Sequence, residues 1–146
     1  MQIPGHLAVA VAESNLPMFQ RGPRRLLIPL FLASLFPDIV DKSIGYIFHA
    51  MPNGRHFAHN LFSLLGLSLL AGLIFGPAGG WAWFCGHLGH LLADSGRMVP
   101  WFFPLKKYPF QKGRLKFDPI QLLQETVILL LVLIFSRKRD FFHKRD

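Results

Sequence analysis

His90 and Asp94 stand four residues apart. On a helix that spacing puts both on one face, where an imidazole nitrogen and a carboxylate oxygen can reach one metal ion. His56 and His59 are three apart, and His87 precedes His90 by three, so each pair also has helical spacing. Cys85 is the single cysteine, which excludes an internal disulfide and a multi-cysteine zinc site. Any metal is therefore held by imidazole and carboxylate, a donor set that suits Zn²⁺ first and Mn²⁺ or Fe²⁺ after it. A metal that keeps an open position turns water into a nucleophile near neutral pH. Hydrolysis is the chemistry this pattern predicts.

Other chemistries leave no trace. There is no His-Glu-x-x-His run, no Gly-x-Ser-x-Gly elbow and no Gly-rich phosphate loop. Ser63, Ser68 and Ser95 are scattered and form no triad pattern. At roughly 100° per residue His87 points about 60° away from His90, which favours packing or steadying a ligand from behind. His49 and His143 have no helical partner. Glu13, Asp41 and Asp118 read as solvated or capping carboxylates.

The elements that must position these residues follow from composition. The chain has 146 residues, 51% of them hydrophobic and only 16% charged, with a net charge of +8. Disorder needs low hydrophobicity, and two full globular domains need a longer chain. A basic balance fits either nucleic acid or a membrane, and the placement of apolar residues decides between them. Residues 56–93 contain no Asp, Glu, Lys or Arg, and Pro119–Ser136 repeats the pattern around a single Glu125. Uncharged apolar stretches of about 18 residues or more read as bilayer-spanning helices. No basic leader precedes the first apolar run, so no cleavable signal is expected. The prediction is one all-α, multi-pass membrane domain over 1–146, ending in a basic tail at 137–146.

Along the chain, His6–Ser14 reads as a helix stopped by Asn15-Leu16-Pro17. Leu26–Phe36 reads as a short, partly embedded helix that stops at Pro37-Asp38. Residues 42–58 read as a loop with one helical turn, and Asn60–Gly76 as a strong helix. Pro77-Ala78-Gly79-Gly80 is a turn signal, Trp81–Asp94 the second arm of a helical hairpin, and 95–118 a loop. Pro119–Ser136 is the last helix. The hairpin brings His59, at the start of one arm, to the same end as His90 and Asp94, at the close of the other. The helix order adds His6, Asp38 and Glu125 to that end. Six polar residues are thus expected to converge at one membrane face, where ionisable groups are costly and so functional by default. Lys and Arg divide evenly between the two ends, so charge does not set the orientation. The basic-aromatic stretch 106–117 fits anionic lipid headgroups better than nucleic acid, and no specific nucleic-acid binding is expected.

Gly5-His6, Leu35-Phe36-Pro37-Asp38-Ile39, Arg55-His56-Phe57-Ala58-His59-Asn60, Gly86-His87-Leu88-Gly89-His90-Leu91-Leu92-Ala93-Asp94 and Trp101-Phe102-Phe103-Pro104 resemble, in order, the motifs of the bacterial membrane-bound metal-dependent hydrolases, the YdjM-like proteins. That family is similar in turn to the zinc-dependent phospholipase C and single-strand nuclease superfamily. The resemblance implies that Asp38, His59, His90 and Asp94 are metal ligands, with His6 and Glu125 as additional ones, in a bacterial or archaeal inner membrane. The family pattern His-Arg-Gly-x-Thr-His-Ser is altered here, with Gly54, His56, Ala58 and Asn60 at four of its places. His56 is the candidate to replace the missing first histidine as a ligand. The second aspartate of the Pro-Asp-Ile-Asp pattern is displaced to Asp41.

The resulting expectation is a membrane-bound hydrolase that uses one to three divalent metals on a phosphoester in a lipid or lipid-linked substrate. Asp38, Arg55 and His59 are expected at the reacting centre, with Arg55, and then Lys106 and Lys107, stabilising phosphate charge. The altered motif supports an alternative, a catalytically degenerate membrane scaffold that binds a partner. A transporter or proton relay would spread its polar residues through the membrane depth, whereas these gather at one end.

Overall fold

A computed structural model describes residues 1–115 and 117–143, with the side chains of 137–143 outside the description. Lys116 and residues 144–146 of the basic tail lie outside the described residues. The described elements are α1 (Ile3–Ser14), α2 (Pro17–Gln20), α3 (Leu27–Lys42), α4 (Leu61–Phe75), α5 (Pro77–Ala93) and α6 (Pro119–His143). A 3₁₀ turn at Arg24–Leu26 enters α3, and a π-helical turn at Ser43–Ile47 leaves it. The all-helical expectation holds for the described residues.

α5 is the central helix, packed on α1, α3 and α4, while α6 lies along α1. The interior inverts the usual distribution of polarity. His6, Asp41, His56, His59, His87, His90 and Asp94 are buried, whereas Leu69, Leu73, Ile74 and Trp81 on the α4–α5 hairpin are exposed. The apolar core is correspondingly small: Phe19, Leu26, Leu30 and Ala82 form one cluster, and Leu64, Leu91 and Val99 another. A surface of this kind suits hydrocarbon, where apolar side chains outside cost nothing and polar groups need partners inside.

Several boundaries differ from expectation, beginning with α1, which starts at Ile3 rather than His6 because Pro4 is accepted in its first turn. α3 runs through Pro37 to Lys42 instead of stopping there. An interior proline forfeits one ladder bond and strains the turn before it, at about 3 kcal/mol. The extra turn is retained because Pro37, Asp38 and Asp41 are all buried, and Lys42 pairs with Asp38 one turn earlier. Next, Pro77-Ala78-Gly79-Gly80 is the first turn of α5, not a loop. Gly76 alone, at φ +79°, makes the reversal, and Pro77 at the first helical position has its φ already set. Gly80 allows close approach between the hairpin arms, since a Cβ there would lie 2.8 Å from the Ser68 carbonyl and 3.0 Å from Gly72 Cα. Lastly, the backbone of α6 continues beyond Ser136 to His143.

Side chains cap the starts of two helices. Asn60 accepts from Ser63 N at 2.9 Å to open α4, and Asp118 Oδ1 accepts from Ile120 N and Gln121 N at 3.0 and 3.1 Å to open α6. Among the described residues, α6 is the one helix long and apolar enough to cross a membrane, over Pro119–Ser136. α4, at 15 residues, rises roughly 22 Å against a hydrocarbon core of about 30 Å.

Candidate metal centre

α1 supplies His6, α3 supplies Asp38, α5 supplies His90, and Asp94 caps the end of α5. One ligand atom from each of these four buried residues lies within 4.8 Å of the others. His6 Nε2 is 3.6 Å from Asp38 Oδ2 and 3.7 Å from Asp94 Oδ1. His59, just ahead of α4, aims Nε2 into the same space, 3.7 Å from Asp38 Oδ1, 3.8 Å from Asp94 Oδ2 and 3.2 Å from His90 Nε2. The His6 and His90 rings stack at 3.8 Å between centroids. Asp38, His59, His90, Asp94 and His6 are thus brought together.

Two of the imidazoles are oriented from behind. His90 Nδ1 donates to the Ser34 carbonyl at 2.6 Å, in the α3 turn preceding Pro37. His59 Nδ1 donates to Asp41 Oδ2 at 2.8 Å. In their neutral forms both rings therefore present a bare Nε2 lone pair to the centre. His6 Nε2 and Asp38 Oδ1 are buried there without a hydrogen-bond partner. Imidazole lone pairs directed at one another and at the unpartnered Asp38 Oδ1 are what a cation resolves. The imidazole and carboxylate donors present therefore fit a divalent metal such as zinc.

Cationic side chains flank the carboxylates. Lys42 pairs with Asp38, and the Met1 amino group contacts Asp94. Arg55 donates to Asp94 Oδ2 from Nε at 2.9 Å and from Nη2 at 2.5 Å. Burial opposes ionisation of Asp94, but the ammonium and the guanidinium outweigh it and hold the carboxyl well below the usual carboxylate range.

Glycines decide how closely the helices approach. A Cβ at Gly86 would collide with the Leu30 carbonyl of α3, and one at Gly89 with the Glu13 carboxylate of α1. Gly-His-Leu-Gly-His therefore lets the α5 backbone settle against both neighbours, which carries His90 to Asp38 and His6. At Gly5 a Cβ would lie 2.7 Å from Glu125 Oε2.

Several expectations are corrected. Glu125 does not join the donor group. Its carboxylate accepts from Gln2 N at 3.1 and 2.9 Å and from Gly5 N at 3.0 Å, serving the otherwise unpaired N–H groups at the start of α1. His56 also stands apart from the donor group: Nδ1 is 3.8 Å from Asp41 Oδ1, and the ring meets Phe110 edge-on at 5.5 Å. Burial pushes its imidazole below the ordinary value. Asp41 is fully buried, not solvated. It accepts from the backbone N–H groups of His56, Phe57, Ala58 and His59 at 2.6–3.1 Å, so one carboxylate folds the loop and orients His59. The signal for it was its place three residues after Asp38, on the same helix face. Glu13, likewise read as solvated or capping, packs on Gly89 with Oε2 buried and unpartnered. His87 packs as expected, donating from Nε2 to the Ala58 carbonyl at 2.8 Å.

In comparisons with known proteins, the model of a family described as YdjM inner membrane protein matches residues 1–143. No curated protein and no solved structure matches the chain.

Proposed function

Because the chain belongs to the YdjM inner membrane protein family, we propose that it is a metal-dependent hydrolase working at the membrane surface on phosphoester bonds of a lipid or lipid-linked substrate. The observation that carries this reading is the cluster of His6, Asp38, His90 and Asp94, with donor atoms within 4.8 Å of one another and His59 Nε2 directed at the same space. These five residues would hold the metal, zinc before manganese or iron. A divalent metal supplies Lewis acidity and lowers the pKa of water.

The chain's own residues do the rest. Asp41 and the Ser34 carbonyl keep the His59 and His90 lone pairs inward. Lys42, Arg55 and the Met1 amino group already offset three of the four buried carboxylates Asp38, Asp41, Asp94 and Glu125, so a divalent ion leaves the centre net positive. An anionic substrate such as a phosphoester suits that charge. Arg55, held on Asp94, is placed to stabilise charge that develops on phosphate oxygens. The exposed apolar side chains Leu69, Leu73 and Ile74 support a multi-pass arrangement in which the α4–α5 hairpin is embedded as well as α6. Membrane lipids are then the surrounding partner and the supply of substrate.

The test is metal content by mass spectrometry on detergent-purified protein, with His90→Ala and Asp94→Ala beside the wild type, followed by a phosphoester and phospholipid panel. Near-stoichiometric zinc lost in both variants, with turnover in the wild type alone, is the expected result. Equal metal content in all three would remove the site. Retained metal with no turnover on any phosphoester would leave a binding scaffold.

A further inference from the structure

We infer that the cavity beside Arg55 seats the head of the substrate, and that this head is an uncharged, hydroxyl-bearing group carried on phosphate. The inference rests on the phosphoester reading above. The cavity encloses about 320 Å³, with Tyr46, Asn53, Gly54, Arg55 and Gln111 among its walls. Ligand sites run from roughly 300 to 1,000 Å³, so this one suits a small group.

Arg55 joins the cavity to the donor cluster. Its Nε and Nη2 are committed to Asp94 Oδ2, and the remaining guanidinium nitrogen is left for a ligand. A phosphate bound at Arg55 is thus one side chain away from a buried donor residue, while whatever it carries on the far side occupies the cavity. The walls are braced for this. A Cβ on Gly45 would collide with the Asn53 carbonyl, which ties the π-helical turn to the cavity loop. Asn53 Oδ1 accepts from Arg55 N at 3.0 Å, and Gly113 N donates to the Pro52 carbonyl at 2.9 Å, so the 108–113 segment is stitched over the 52–55 loop.

The lining chemistry sets the class of head. Asn53 is held in the loop, so the Tyr46 phenol hydroxyl and the Gln111 carboxamide, beside the apolar walls Met98 and Pro109, offer the neutral donors and acceptors that match alcohol groups. None of the lining residues is acidic, and Tyr46 is the single aromatic. A quaternary ammonium head would therefore meet neither a counter-charge nor an aromatic cage.

Two sources present this chemistry, a lipid with a polyol phosphate head and a free polyol phosphate. Calorimetric titration of zinc-loaded, detergent-purified protein with glycerol 1-phosphate and with phosphocholine reads the preference directly. Glycerol phosphate should bind about tenfold tighter, and the preference should largely vanish in a Tyr46→Phe/Gln111→Ala double variant whose zinc content matches wild type. Equal affinities, binding of neither, or a preference untouched in the double variant would overturn the inference. Phosphatidylglycerol added to the micelles displaces glycerol phosphate if the source is a lipid, and fails to displace it if the source is free. Zinc is measured on the same samples, so absence of metal from the wild type sinks the hydrolase reading separately from the cavity's preference.

Discussion

His59 and His90 face each other through Nε2 atoms 3.2 Å apart, although each ring has committed its Nδ1 hydrogen elsewhere, one to Asp41 and the other to the Ser34 carbonyl. Two neutral imidazoles so placed repel through their lone pairs. The arrangement is favourable when a positive charge sits between them and the nearby oxygens of Asp38 and Asp94. Ser34 and Asp41 on α3 and the seating of His90 on α5 maintain it, with His59 presented by the loop ahead of α4.

Asp41 is predicted to govern metal affinity without being a ligand. Asp41→Asn keeps the shape of the side chain but turns an amide towards N–H donors that now point at a carboxylate. It also removes the charge that fixes the His59 tautomer. Loss of such an outer partner weakens metal binding by about 10- to 100-fold. Competition with a zinc chelator reads this, and an unchanged zinc affinity in a folded Asp41→Asn protein would reduce Asp41 to a loop staple.

Arg55 is predicted to act through geometry as well as charge. Two of its nitrogens converge on one oxygen of Asp94, which a lysine ammonium on a flexible stem cannot reproduce. On the substrate identified by the panel, Arg55→Ala should lower kcat by about 10²- to 10³-fold with zinc content intact. Arg55→Lys should recover only a small part of that loss. Full recovery by lysine would mean that charge alone matters at this position.

What was legible in the sequence follows a physical division. Convergence of His6, Asp38, His59, His90 and Asp94 was legible because antiparallel helix order and i, i+4 spacing dictate which helix ends meet. The course of α3 through Pro37 was not, since a local rule against interior proline was outweighed by burial of Asp38 and Asp41 on the following turn. Glu125 was placed at the correct end, but spacing cannot tell a carboxylate that meets a cation from one that meets backbone N–H groups. The Pro77–Gly80 segment carries loop residues, yet its glycines answer to neighbours, Phe75 and Ser68, that only the packed hairpin supplies.

Glu125 and His90 should therefore fail differently. Glu125→Ala removes a charged acceptor from Gln2 N and Gly5 N, and bonds to a charged group contribute about 1.5–3 kcal/mol. Lower thermal stability in detergent with zinc retained at saturation is the expected outcome. His90→Ala should lose zinc. If Glu125→Ala instead loses metal while its melting temperature holds, Glu125 belongs among the ligands after all.

Gly86 offers the sharpest test of how α5 is seated. A methyl group at this position meets the Leu30 carbonyl, which is helix backbone and has no rotamer to yield, with Ala33 Cβ a further 3.3 Å contact. Gly86→Ala must therefore push α5 away from α3, at about 1–3 kcal/mol by the usual cost of overpacking. The displacement also draws His90, four residues on, away from the Ser34 carbonyl that orients it. Weaker zinc binding should thus accompany the lower melting temperature. Gly66 on α4 is the control, because a Cβ there meets nothing within 4 Å. Replacing a mid-helix glycine by alanine in open space stabilises a helix by roughly 0.5–1 kcal/mol, so Gly66→Ala should melt no lower than wild type and keep its zinc. If both variants behave alike, close contact between α5 and α3 is not what seats His90.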